Sequence, residues 1–469
     1  MRSLNFVGPL PPGDYRSLKK KEMNKETDVK TFYQLLANAI IANVTNMTVW
    51  FALIFFIYLE TRSVIATSIV SGIYLLAVAL SGFWFGSLVD HYKKKHVMLL
   101  SGFVSLLIYA IGFAIYLSVP AETWKDPASV TLWVLVPLLL MGVIAGNIRI
   151  IALPTLVTIL IPEEGRDKAN GLTGTATGIA FLIVSAISGI LVGHSGLYLV
   201  LLLAMVMMLI SIIHLVTLSI PENEIVHLDG KPAKLEIRGT FVIISAIPRL
   251  LALIFFTTIN NFLGGVFIGL MDAYGLSLVS VPVWGVLWAF LSCGFIVGGL
   301  FIAKWGLGQN PLRAMFAANL CIWTVCSFFT IQPSIVLLTM GMFIYLCVVP
   351  FIEAAEHTII QKVVPPDRQG RVFGFAQSVE MAASPLTTFF IGPIAELFFI
   401  PFMTTGAGVG LIGGWFGTGA DRGIALVFTL TGIIGLIVTL IAMNTKYYKL
   451  LSDRYMNTES GVLPESEMA

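Results

Sequence analysis

Gly86-Ser87-Leu88-Val89-Asp90-His91-Tyr92-Lys93-Lys94-Lys95 is a short polar break between two apolar runs, at about 64–89 and 97–119. Each run has the roughly 20 residues that a helix needs to cross about 30 Å of hydrocarbon. The break is therefore a loop at a membrane face. Within it Gly86 allows close helix approach, Asp90 stands at a helix end, and three lysines follow within a turn. Such a charge cluster can latch one half of a protein to the other and let go when the halves move, which makes Gly86, Asp90, Lys94 and Lys95 candidate gate residues. The plainer reading is a loop of topology-setting lysines with a capping aspartate.

Outward from this loop, similar runs recur at about 32–59, 131–160, 168–192, 197–219, 240–270, 282–303, 312–331, 334–360, 371–397 and 423–445, making twelve in all. With 57% hydrophobic residues, 12% charged residues and a mean hydropathy of +0.90, the chain is far more apolar than a soluble core requires. Strands of a membrane barrel would be about 10 residues long and would alternate in polarity, which these runs do not. The expected fold is an all-α bundle of twelve membrane helices.

The net charge of +2 says little, but the placement of the charges says more. Of 28 Lys and Arg, 23 fall in the two tails and the alternate loops on one face. The other face has only Arg62, Lys125 and Arg422, while Arg149 and Arg249 lie within runs. By the positive-inside rule both termini are expected in the cytoplasm of a cell whose outer boundary the protein spans. Residues 1–31, with Lys19-Lys20-Lys21, read as a cytoplasmic tail without a cleavable apolar segment. Residues 220–239 are a polar linker between a six-helix half at 32–219 and a second at 240–445, and 446–469 form another tail. The halves resemble each other: aligning Pro162 with Pro365 places Lys168 on Arg371 and Gly171 on Gly374. Duplication with shared orientation suits a transporter that rocks about a site between its halves. The four cysteines, Cys293, Cys321, Cys326 and Cys347, lie within runs of the second half and read as reduced packing residues.

The break after the second run also resembles the corresponding loop of the major facilitator superfamily, Gly-x-Leu-Ala-Asp-Arg-x-Gly-Arg-Lys, through Gly86, Leu88, Asp90, Lys94 and Lys95. Ile161-Pro162-Glu163-Glu164-Gly165-Arg166-Asp167-Lys168-Ala169-Asn170-Gly171 and Gln361-Lys362-Val363-Val364-Pro365-Pro366-Asp367-Arg368-Gln369-Gly370-Arg371 extend it. These resemble the twelve-helix drug:proton antiporters, in particular the group with macrolide efflux pumps and the enterobactin exporter. The resemblance implies the two-half major facilitator fold, with the substrate cavity between helices 1, 4, 7 and 10.

Those four runs carry the conspicuous polar residues. Asn43, Asn46 and Trp50 fall within an arc of about 60° at helical spacing. The fourth run has Asn147 and Arg149, the seventh Asn260 and Asn261, and the tenth Glu353, Glu356 and His357 on one face. Each asparagine could equally be bonding a neighbouring helix. Arg149 and Glu380 lie near the middle of apolar runs, where a charge costs on the order of 3 kcal/mol on the mildest scale, so each is expected to face a cavity, a partner or a substrate path. Glu380, followed by a kink-forming Pro385, suits proton loading and release, because desolvation favours the neutral acid. Interhelical bonding is the simpler role. The resemblance adds an arginine tied to proton coupling at the position of Arg149, making Glu380, Glu356, Glu353 and Arg149 the coupling candidates.

The expected function is export of a small hydrophobic or cationic drug-like substrate in exchange for protons, as in multidrug efflux and antibiotic resistance. The alternatives are a lipid, lysophospholipid or siderophore transporter of the same fold, or a membrane sensor that binds without transporting. No Gly-rich phosphate loop is present, so the energy source is expected to be the proton gradient, with no cofactor and no metal. The partners expected are the substrate, protons and the bilayer, with no nucleic acid, and the chain is expected to act as a monomer.

Overall fold

The computed structural model describes residues 12–61, 64–126, 128–222 and 250–457. The expected all-α fold is present. Its long helices are α1 (Pro12–Thr61), α2 (Val64–His91), α3 (Lys94–Ser118), α4 (Val130–Leu160), α5 (Arg166–Ser195) and α6 (Tyr198–Thr217) in the first half. The second half has α7 (Leu250–Leu278), α8 (Val281–Trp305), α9 (Pro311–Phe328), α10 (Ile335–Val363), α11 (Gln369–Ile394) and α12 (Ala420–Asn444), with a short α13 (Lys446–Asn457) after it. Among the described residues, eleven of these helices are long and apolar enough to cross a membrane. The twelfth long helix is α5, with 30 residues. Nearly all of the expected 220–239 linker, and Arg249, lie outside the described residues.

Two helices depart from regular geometry near functional residues. α4 breaks at Asn147, where the Asn147 amide bonds the Ile144 carbonyl and the Ile150 amide bonds the Asn147 carbonyl, both at 2.9 Å and both one residue tighter than an α-helical step. Pro154 follows within the second piece. α11 passes Pro385 and Pro393 and then widens into a π-helical turn at Ala395–Phe399. Beyond it, the glycine-rich stretch before α12 folds into short turns around buried Arg422. The Arg422 guanidinium donates to the carbonyls of Phe416, Thr330 and Ile331 at 2.7 to 2.9 Å, so this cation, expected in an external loop, closes one end of the second half from inside.

The end of the bundle bearing Asp90 is called basal and the opposite end distal. One apolar core at the basal end draws on both halves, from Phe32, Val89 and Leu156 to Leu253, Ile360 and Val372. Toward the distal end the core divides into one cluster of first-half residues and one of second-half residues. The seams between halves follow the same plan. α2 packs on α11 and α5 on α8. A side chain at Gly374 would strike Gly82 and Gly86, and one at Gly299 would strike Gly171 and Thr175. Farther out on the same four helices, a Cβ at Gly72, Gly193, Gly285 or Gly392 would meet nothing within 4 Å. The halves share one core basally and keep separate cores distally.

Candidate functional site

A cavity of about 650 Å³ opens within the second half. Its walls come from α7, α9, α10 and α11 with Trp288 of α8, and among the described residues the first half contributes Phe51 and Phe181. Aromatic rings dominate, among them Phe267, Trp288, Trp323, Phe329 and Tyr345. Four carboxyl groups line it, those of Asp272, Glu353, Glu356 and Glu380, and among the described residues no Lys, Arg or His does.

The carboxyl groups meet because helical spacing puts Glu353 and Glu356 on one face of α10, and α11 crosses that face beside α7. Glu356 is buried and lies within hydrogen-bonding reach of Glu380 and of Thr257. The Thr257 hydroxyl donates to Glu380 Oε1 at 2.6 Å. Two carboxyl groups can share a hydrogen bond only if one keeps its proton. The pair with its threonine is thus a place where one proton can be held inside the protein. Glu353, one turn distal, is exposed to the cavity. His357 leaves this group and packs edge-on against Phe373 at 5.3 Å.

The remaining second-half candidates also reach the cavity. Asn260 accepts from the Trp323 indole at 2.7 Å and donates to the Phe256 carbonyl at 2.7 Å. Asn261 donates to the Thr257 carbonyl at 3.1 Å, and its own carbonyl accepts from Ser384.

First-half candidates are placed differently. Asn46 is buried and accepts from the Tyr109 hydroxyl at 2.7 Å, against Gly146 of α4. Trp50 stacks on Tyr74 at 3.9 Å, and Tyr74 also bonds Asn147 at the α4 break. Asn43 is half-buried on α1, and none of these four lines the cavity. Arg149 is buried between α3 and α6, donating to Ser211 Oγ at 3.0 Å and to the Met98 carbonyl at 3.3 Å. It faces its own half rather than Glu380.

At the basal end Asp90 crosses between halves. Its carboxylate accepts from the Gly370 amide at 2.6 Å, the Arg371 amide at 2.9 Å and the Arg371 guanidinium at 3.0 Å. The acceptor thus sits on the N-terminus of α11, where unpaired amides and the helix dipole favour an anion. Gly86, one turn earlier, lets α2 touch the backbone of α11. Lys94 and Lys95 do not cross. Their amides bond Glu222 at 2.6 and 2.9 Å, and Lys95 Nζ caps the end of α6 through the Val216 and Leu218 carbonyls. The latch expected of the whole loop is therefore the work of Asp90.

The sequence reading missed a second set of crossings. Thr158 donates to Gln369, Asn170 to Gln361 and Thr358, and Gln361 to the Pro154 carbonyl, all at 2.8 or 2.9 Å. Lys362 pairs with Glu163 at 2.8 Å. At the other seam Asp167 accepts from the Leu307 amide at 2.8 Å. The repeat could have found it, because the segment after α8 has no aspartate and Asp167 supplies one from the opposite helix.

Two six-helix halves that share a basal core, with an aromatic cavity carrying carboxyl groups in the second half, define a membrane transporter rather than an enzyme. The sequence agrees. The pattern of the Major Facilitator Superfamily matches residues 35–388, and the chain belongs to that superfamily. It is 22% identical over 369 residues to macrolide efflux protein A of Streptococcus pyogenes, covering 76% of this chain and 87% of that one. To macrolide efflux protein A of Enterococcus faecalis it is 23% identical over 325 residues, 66% and 95% of the respective chains. Among solved structures, a proton:xylose symporter superposes with a TM-score of 0.64 at 10% identity, covering 88% of this chain and 95% of the symporter. A bacterial homologue of the iron transporter ferroportin, in an outward-facing state, gives 0.62 at 12% identity over 88% of this chain and all, 100%, of that one. These structures share the fold.

Proposed function

We propose that the protein is a secondary exporter, which expels lipophilic, drug-like molecules across the bacterial cytoplasmic membrane in exchange for protons and acts as a monomer. The observation that carries this reading is the Glu356–Glu380–Thr257 group at the base of an aromatic cavity. A proton on the carboxyl pair keeps the buried site close to neutral, and a substrate that neutralises the pair releases that proton. Loading and release then alternate, and no cofactor is involved.

The basal end is cytoplasmic in this reading, in line with the 23 positive charges on that face. The form described here, with a shared basal core and separate distal cores, is then the one that discharges cargo outward. Breaking the Asp90 contacts opens the cytoplasmic side to reload it. The kinship with macrolide efflux proteins favours export over import and a bulky lipophilic cargo over a sugar.

The test is uphill transport by the full chain in vesicles under an imposed pH gradient, with lipophilic dyes as probes. Accumulation that follows the gradient and collapses with a protonophore supports the reading. A ligand sensor moves no dye, and a lipid transporter moves labelled lysophospholipid but no dye.

A further inference from the structure

The hydrogen-bonding groups of the cavity wall are unequally committed. Its donors are largely engaged by the wall itself: the Trp323 indole by Asn260, the Trp288 indole by Asp272 at 3.2 Å, and the Thr257 hydroxyl by Glu380. The Ser384 hydroxyl is held by the Asn261 carbonyl, and the side-chain amides of Asn260, Asn261 and Asn319 are each turned back on the carbonyl four residues earlier in their own helix. The donors that remain on the wall are the Tyr345 hydroxyl, the Cys326 thiol and the second N–H of each asparagine amide.

Acceptors are in surplus. The clearest is Asn319 of α9, only 1% exposed, which lines the cavity. Because its Nδ2 donates to the Met315 carbonyl at 3.0 Å, the oxygen is fixed as the other atom, and that Oδ1 has no partner among the described residues. A buried acceptor left unpaired is costly, and it gains a bond only from a ligand or water that brings a donor. Glu353, exposed to the same space, and Asp272, farther along it, add negative charge.

We infer that the cavity selects a cation that donates hydrogen bonds, a protonated amine on a lipophilic body, and that Asn319 Oδ1 is a specificity determinant for its N–H group. A quaternary ammonium has the same charge but no proton to give, so it leaves Asn319 unpaired. An organic anion meets four carboxyl groups and no cation. Aromatic faces accept either cation alike, so the discrimination falls to the acceptors. This inference rests on the export reading for the identity of the site, but the binding it describes needs no gradient.

The test uses a fluorescent dialkylaminoalkyl dye and its N-methylated quaternary twin, titrated onto the purified full chain in detergent at neutral pH. The expected result is at least tenfold tighter binding of the amine. Asn319→Leu should remove most of that preference by weakening the amine alone, and unchanged binding of the twin shows that the variant is folded. Asn319→Asp should restore tight amine binding. Equal affinity of wild type for both dyes, or equal weakening of both in a folded Asn319→Leu, overturns the inference. Amine selectivity with no uphill transport in vesicles would sustain the inference while removing proton-driven export.

Discussion

The two halves share a fold and a repeated sequence, yet they place their membrane-buried polar residues differently. In the first half Asn46, Asn147 and Arg149 bond to Tyr109, Tyr74, Ser211 and the Met98 carbonyl, all within that half. In the second half Asn260, Asn261, Glu353, Glu356 and Glu380 come together around one cavity. A polar group in a membrane helix needs a partner, and the first half provides it from a neighbouring helix. The second half turns several such groups toward its cavity. The halves share a scaffold, and the carboxyl groups that line the cavity belong to the second.

The variant that bears hardest on this contrast is Glu380→Gln. It keeps the size of the side chain and the bond from Thr257 but cannot cycle a proton, so uphill efflux under a pH gradient should fall to background while downhill dye exchange survives. Concentrative efflux by this variant would reduce Glu380 to an interhelical contact.

Next in size is Asp90→Asn, which tests whether the basal seam is a gate common to both halves. It removes charge-assisted bonds worth about 1.5–3 kcal/mol each, enough to shift the balance of states by tenfold or more. Dye transport should drop by about that factor, with accessibility of basal cysteine probes rising and the melting temperature little changed. The second seam has a single amide on Asp167, so Asp167→Asn should do less; an equal loss would mean that the seams are equivalent.

Arg149→Lys and Asn46→Leu address the first half, with smaller effects expected on transport than on stability. The lysine keeps the charge and forfeits the geometry that reaches both Ser211 and Met98, and the leucine leaves the buried Tyr109 hydroxyl unpaired. Each should cost about 1–3 kcal/mol of stability. The pH dependence of transport per folded molecule should be unchanged. A shifted pH profile in Arg149→Lys would return the arginine to the coupling machinery.

Much of this was legible in the sequence. Run length and charge placement gave the helix number, and Asp90 stood out as a charge at a helix end. Its partner did not, because the amides of Gly370 and Arg371 become an anion site only when α11 begins beside α2. The arc shared by Asn43, Asn46 and Trp50 defines a face of α1, but helical spacing does not say which neighbour covers it. For this reason Asn43, Asn46 and Trp50 were read as cavity residues. Thr257 was missed because a threonine in a membrane helix ordinarily bonds its own backbone, as it also does here. Asn319 was missed because α9 is not among the helices expected around a central cavity, whereas this cavity reaches into the second half itself. The cysteines were read as buried, yet Cys321 lies on the outer surface of α9.

The central claim is that cargo and proton exchange at the carboxyl pair of the second half. The most direct measurement is proton release on dye binding, read with a pH indicator in weakly buffered detergent solution near neutral pH. The wild type and Arg149→Lys should release protons as the amine dye binds, and the Glu356→Gln, Glu380→Gln double variant should bind without release. Undiminished proton release from the double variant would contradict the account.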